Sequence, residues 1–161
     1  MKTLVFVRHG KSSWDYEVGD KDRPLKERGV EDAHLVAKEF ASLNIAIDKV
    51  FTSPANRAFH TCMIVSRSLK FNLKNVEITE ALYDFSGDSA LQFIKQFDNA
   101  HNTIMIFGHN YAFTNLVNAL GDKYIDNVPT AGLIVLQFNV DDWSFIKKGT
   151  TAHTIFPKAL K

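Results

Sequence analysis

Hydrophobic positions along this chain follow two alternating rhythms. TLVFV (3–7) is a short unbroken apolar run and reads as a buried strand. Residues 26–42 instead carry Val30, Ala33, Val36, Ala37 and Phe40 at helical spacing. KVFTS (49–53) is strand-like again. Ser53 and Pro54 then predict a helix start, a hydroxyl cap followed by proline, and Ala58, Cys62, Val65 and Leu69 share one face of that helix. VEI (76–78) is a weak strand, 88–97 a helix with Ala90, Ile94 and Phe97 in phase, and TIMIF (103–107) a strongly apolar strand. YAFTNLVNAL (111–120) predicts a helix closed at Gly121 by the left-handed stop that glycine favours. GLIVLQFNV and WSFIKK, on either side of Asp141 and Asp142, predict a hairpin.

Strand and helix in alternation imply an α/β fold: a three-layer α/β/α sandwich with a mostly parallel central sheet and an antiparallel edge contributed by the last hairpin. The 161 residues suit a single domain spanning 1–161, and no repeat or Pro/Gly/Ser-rich linker divides them. A formal net charge of +1 gives no overall field for nucleic acid or a membrane surface. No segment has the length of a membrane span, and Arg8 ends the first apolar run too early for a signal sequence. The lone cysteine, Cys62, has no disulfide partner, so a reduced, cytoplasmic setting is expected.

In parallel sheets ligands bind beyond the carboxyl ends of the strands. Arg8 and His9 follow the first strand. Ser53 follows the second, with Arg57 one turn into the helix. Gly108, His109 and Asn110 follow the fourth. Two imidazoles and two guanidiniums are thus expected at one edge, with nothing acidic at those tips. Arginine forks match phosphate oxygens, and a helix N-terminus adds N–H donors for an anion. Neighbouring arginines keep an imidazole neutral, and a neutral imidazole is a nucleophile toward phosphorus. The residues therefore predict phosphoryl transfer through a phosphohistidine, with His9 as nucleophile and His109 as a second stabilising group.

Four stretches in order carry a resemblance: FVRHGKSSW, DRPLKERG, SPANRAFHT and FGHN. Together they resemble the histidine phosphatase superfamily, the phosphoglycerate mutase-like proteins with an RHG motif. The resemblance extends over nearly the whole chain and is greatest to the small SixA-like phosphohistidine phosphatase branch. It implies that His9 is the nucleophile, that Arg8 and Arg57 bind phosphate, and that His109 is the second histidine. It also implies that Arg23 reaches the phosphate, where an ordinary reading has Arg23 paired with Asp20 or Asp22. No metal or other cofactor is implied.

One feature departs from the family pattern. Many relatives place a glutamate after the third strand as general acid, whereas here the region reads ITEALYDFSGDSAL, with Glu80, Asp84 and Asp88 outside the usual context. A protonated phosphoimidazole leaves as neutral imidazole and needs less acid assistance than an alkyl ester. The stretch from Phe71 to Asn102 is also too short for the lid of larger relatives, which predicts an open site. Both features favour phosphohistidine on a protein as substrate over phosphoglycerate mutase chemistry. A broad-specificity small-molecule phosphomonoesterase and a non-catalytic phosphate-binding module are the alternatives. Expected partners are a phosphorylated protein or small phosphorylated substrate, with no nucleic acid and no membrane.

Three further patterns have ordinary explanations. Cys62 and Arg67 are separated by four residues without glycine, so no cysteine phosphate loop forms, and a buried thiol is expected. GKS (10–12) would need its first loop glycine at Val5, in mid-strand, which rules out a P-loop. His34, His60, His101 and His153 lack ligand spacing such as HExxH.

Overall fold

The computed structural model describes residues 1–161. Six strands form one sheet: β1 (Lys2–Arg8), β2 (Lys49–Thr52), β3 (Val76–Ile78), β4 (Thr103–Gly108), β5 (Leu133–Phe138) and β6 (Thr150–Ile155). Their spatial order is β3-β2-β4-β1-β5-β6. The first four pair in parallel, and β5 runs antiparallel to both β1 and β6. Helices α1 (Glu27–Ala41), α2 (Asn56–Ser68), α3 (Asp88–Ile94) and α4 (Ala112–Leu120) complete the three-layer sandwich that the hydrophobic rhythm predicts. None is long and apolar enough to cross a membrane.

Alternation along the strands divides the core in two. Leu4, Phe6, Ile104, Ile106, Ile134 and Leu136 face one cluster, filled from α3 and α4 by Ala90, Ile94, Phe113 and Leu116. Val5, Val7, Met105, Phe107, Leu133 and Val135 face the other, filled from α1 and α2 by Val36, Phe40, Cys62 and Val65. The central strands are buried on both faces, as parallel strands covered by helices must be. Cys62 is buried there, its thiol pushed up to about 12 by desolvation, which fits a structural thiol.

Four local expectations need correction. Helix α2 starts at Asn56, not at Pro54, and no side chain caps it. The Ser53 hydroxyl does accept from the Ala55 N–H (3.2 Å), but Ala55 is still extended there, so the bond closes a turn ahead of the helix. Helix α3 stops at Ile94; Gln96 and Phe97 continue as tighter turns that bring the Phe97 ring against Phe51 and Trp143. Gly121 ends α4 in an extended conformation (φ −99°), not a left-handed one. A side chain there would meet Thr151 Oγ1 at 2.4 Å and the Val117 carbonyl at 2.7 Å, so the glycine serves close approach.

The hairpin exists, but its second strand is β6, seven residues later than the WSFIKK (143–148) segment that hydrophobicity favours. Trp143 is fully buried against Phe97, and its indole N–H donates to the His101 carbonyl (2.8 Å). That anchor holds WSF in a single 3-10 turn beside the β4 entry, away from β5.

Candidate active site

Sheet register sets the floor of the site. Arg8 of β1 stands opposite Gly108 of β4, so His9 and His109 emerge from adjacent strands at the same height. Thr52 of β2 pairs with Phe107, which places Ser53 next to the same edge. The two imidazole rings lie 5.3 Å apart, centroid to centroid. From α2, Arg57 points toward them and is 3% exposed. Thr61, one turn further along α2, accepts from the Gly10 N–H at 3.0 Å and so ties α2 to the β1 tip.

The glycine of the RHG motif has a steric reason. A Cβ on Gly10 would sit 2.6 Å from the Gly29 carbonyl, and one on Gly29 would sit 2.3 Å from the Lys11 carbonyl. The loop after His9 therefore lies directly on the first turn of α1. The Ser12–Leu25 bridge and the Lys26 N–H to Lys11 carbonyl bond (2.8 Å) close it.

His9 Nδ1 lies 2.7 Å from the Gly10 carbonyl. A carbonyl only accepts, so the proton is on Nδ1 and Nε2 keeps its lone pair. Desolvation, opposed by the Gly10 bond but reinforced by His109, Arg57 and Arg8, holds His9 at about 3, well below ordinary histidine. His109 is likewise held at about 3, by desolvation and Arg57 first, with Asp20 opposing. Its Nε2 bonds Ser53 Oγ at 2.8 Å, while Nδ1 is buried without a partner in the protein. Arg8 Nε is also buried and unpaired, with Arg8 Nη1 fixed on the Val128 carbonyl at 2.8 Å. Unpaired buried polar atoms are costly, and two of them on the floor of one cationic cavity suit a bound oxyanion.

The cavity above this floor measures about 260 Å³ and is lined by Arg8, His9, Arg57 and His109 together with Lys11, Ser12, Trp14, Asp20, Arg23 and Phe85. All five residues singled out by sequence thus meet at one place. Arg23 reaches it from the loop before α1. Its Nε donates to the Ser13 carbonyl (3.2 Å), its Nη2 to Ser12 Oγ (2.5 Å), and its guanidinium lies 3.2 Å above the Trp14 ring. Trp14 itself is 74% exposed and stands at the rim.

One expectation about charge fails. The loop before α1 brings an acid to this edge: the Asp20 carboxylate accepts from Arg57 Nη2 at 3.0 Å, Tyr83 Oη at 2.5 Å and, more weakly, Arg23 Nη1 at 3.4 Å. The Asp20 carbonyl also accepts from Arg57 Nη1 at 2.6 Å. Partial burial pushes the Asp20 carboxyl up, but Tyr83 and the two guanidiniums outweigh it and hold it at about 2. Sequence placed Asp20 only as an ordinary partner for Arg23; its bond to Arg57, 37 positions away, has no local signal. Tyr83 and Phe85, whose rings pack 5.4 Å and 5.0 Å from His109, were equally invisible.

The acidic residues after β3 are occupied elsewhere. Glu80 pairs with Lys21 at 2.9 Å. Asp84 accepts from the N–H groups of Ser86, Gly87 and Ala90, which outweigh its burial and lower its pKa. Asp88 opens α3 and does not line the cavity.

The chain resembles known proteins in sequence and in fold. The profile of the histidine phosphatase superfamily (branch 1) matches residues 4–89. The chain belongs to that superfamily. A 2,3-bisphosphoglycerate-dependent phosphoglycerate mutase from Rhizobium meliloti is 42% identical over 66 residues, 39% of this chain and 31% of the mutase. A mutase of the same description from Haemophilus influenzae is 43% identical over 65 residues, 38% of this chain and 29% of that enzyme. The match therefore spans about a third of those relatives. The fold is shared along nearly the whole length with the protein histidine phosphatase SixA complexed with tungstate (TM-score 0.81, 21% identity, 99% of both chains). SixA from Agrobacterium tumefaciens gives a TM-score of 0.80 at 21% identity, over 96% of this chain and 97% of that one.

Proposed function

We propose that this histidine phosphatase superfamily member is a hydrolase acting through a phosphohistidine on His9, with residues 1–161 forming one catalytic domain. The observation that carries this reading is the state of His9: proton fixed on Nδ1 by the Gly10 carbonyl, Nε2 free, and the ring kept neutral by desolvation among cations. Phosphate binding alone would need the arginines but no such nucleophile, which disfavours a non-catalytic module.

In this reading Arg8, Arg57 and Arg23 hold the phosphoryl oxygens, and His109 Nδ1–H, freed by the Ser53 bond to Nε2, donates to one of them. The His9 Nε2 lone pair forms a bond to phosphorus as the bond to the leaving group breaks. Water then attacks the phosphoryl group on His9, and the P–N electron pair returns to Nε2. Charge spread over the equatorial oxygens is met by preorganised donors in a desolvated pocket.

The substrate proposed is phosphohistidine on a protein. The rim is open, with Trp14 and Phe85 exposed, and no acid other than Asp20 lines the cavity. An open mouth admits a side chain on a protein surface. The fold likeness to the protein histidine phosphatase SixA supports the same choice. The second reading, a broad small-molecule phosphomonoesterase, draws on the modest cavity volume of about 260 Å³. Turnover of a phosphohistidine peptide, para-nitrophenyl phosphate and 3-phosphoglycerate separates them. The peptide is expected to be turned over fastest, with acid-labile label on the wild type and none on His9→Ala. Preference for 3-phosphoglycerate, or label surviving in His9→Ala, rejects the reading.

A further inference from the structure

The family's usual position for a general acid is empty of candidates here, yet one carboxylate does line the cavity. We propose that Asp20 is the proton carrier for oxygen-ester substrates: it protonates the leaving oxygen in the first half-reaction and deprotonates the attacking water in the second. The proposal rests on the phosphatase reading and extends it to a second substrate class.

Geometry places Asp20 on the correct side. His9 is 7% exposed, at the floor, whereas the Asp20 side chain is 44% exposed, at the mouth. In-line displacement sends the leaving group away from the nucleophile, hence from the floor toward the mouth. Glu80, Asp84 and Asp88 are excluded by their own contacts, described above. Its contacts also explain how an acid can survive beside two guanidiniums. In the free protein its carboxylate is held ionised by Arg57, Arg23 and Tyr83. Arg57 and Arg23 are also the groups that phosphoryl oxygens require. When the substrate dianion engages Arg57 and Arg23, Asp20 loses its cations and gains an anionic neighbour, and both changes favour its protonated form.

The steps balance. Displaced Asp20 takes up one proton from solvent. His9 Nε2 bonds to phosphorus, the P–O bond to the leaving group breaks, and the leaving oxygen takes the Asp20 proton and departs as an alcohol. Water then attacks the phosphoryl group, giving a proton to the Asp20 carboxylate while the P–N pair returns to His9. The sum is phosphate ester plus water to alcohol plus hydrogen phosphate. A phosphohistidine substrate, whose protonated ring leaves as a neutral imidazole, bypasses the first transfer.

The test is Asp20→Asn, which keeps shape and acceptor oxygen, compared with the wild type on three substrates. For 2-glycerophosphate, kcat/KM is expected to fall at least about 100-fold, the lower end for general acid catalysis. For para-nitrophenyl phosphate and a phosphohistidine peptide, whose leaving groups need no proton, the fall in kcat/KM is expected to be at least about tenfold smaller. Equal losses on all three would make Asp20 a positioning residue for Arg57 and overturn the proposal, as would no loss on the glycerol ester. Should the variant fold poorly, a series of substituted phenyl phosphates on the wild type decides instead. A shallow dependence on leaving-group pKa supports a proton donor, and a steep one rejects it. A wild type that neither hydrolyses para-nitrophenyl phosphate nor labels on His9 rejects the phosphatase reading itself. An active wild type with an indiscriminate Asp20→Asn rejects only the proton carrier.

Discussion

The floor and the mouth of the cavity are built on different principles. Arg8, His9, Ser53 and His109 stand directly at strand ends, where parallel register leaves each backbone only one position. Their side chains are mostly buried, and their partners are main-chain carbonyls or each other. Asp20, Arg23 and Trp14 stand on connecting loops and hold one another through side-chain contacts, while Phe85 packs on Tyr83 and His109. Desolvation dominates the floor and perturbs both imidazoles; the mouth is governed by exchangeable ion pairs. Bond formation to phosphorus tolerates little misplacement, so it belongs on the rigid part. Recognition and release of varied leaving groups need contacts that can open.

The largest expected contrast comes from removing Arg57, which reaches the floor from the first turn of α2, and Arg23, which stands at the mouth. Arg57→Ala should lower kcat on a phosphohistidine peptide by about 10² to 10³, the usual cost of a lost transition-state donor. Arg23→Ala should act chiefly on KM, by about tenfold, because its guanidinium is shared with Ser12, Ser13 and Trp14. Steady-state kinetics of both variants check this. An equal kcat loss in Arg23→Ala would dissolve the distinction between floor and mouth.

Proton linkage provides the second contrast. His9 and His109 titrate at about 3 in the folded protein and near 6.5 when unfolded. Between those values the unfolded chain binds more protons, so stability falls as pH is lowered from about 6.5 toward 3. Asp20, held at about 2, adds a loss only below the ordinary carboxylate range. Thermal melts from pH 7 to pH 4.5 should show a falling Tm in the wild type and a smaller fall in His109→Gln. Parallel curves would mean that His109 is not desolvated as described.

The smallest expected effect lies where the two regions join. Gly29→Ala pushes a methyl group into the Lys11 carbonyl and must move either α1 or the loop after His9. A destabilisation of about 1–3 kcal/mol is expected, typical of overpacking, with a larger change in KM than in kcat. Denaturant unfolding measures the first and steady-state kinetics the second. A neutral result would show that the loop is free to lift from α1.

Much of the floor was legible in the chain. Arg8, His9, Arg57 and His109 each follow a strand or open a helix, and strand ends can be read from apolar runs. The last hairpin was misread because Trp143 and Ile146 look like strand residues, while the true β6, TTAHTI, is only half-buried and weakly apolar. Trp143 has its partners in Phe97 and His101, over 40 positions away. The start of α2 was misread because Ser53 followed by proline resembles a cap, whereas the serine also binds the His109 ring.

Alternating periods of hydrophobicity determined the layers, the parallel sheet and which residues stand at its carboxyl edge, because burying apolar side chains on both faces of a strand leaves few ways to fold. The ionised Asp20 between two arginines, the Ser53 bond to the His109 ring and the unpaired Nδ1 of His109 were decided only by tertiary structure. They depend on distances of about 3 Å between groups brought together from separate loops and strands, and electrostatics at that range is set by geometry that no local pattern encodes.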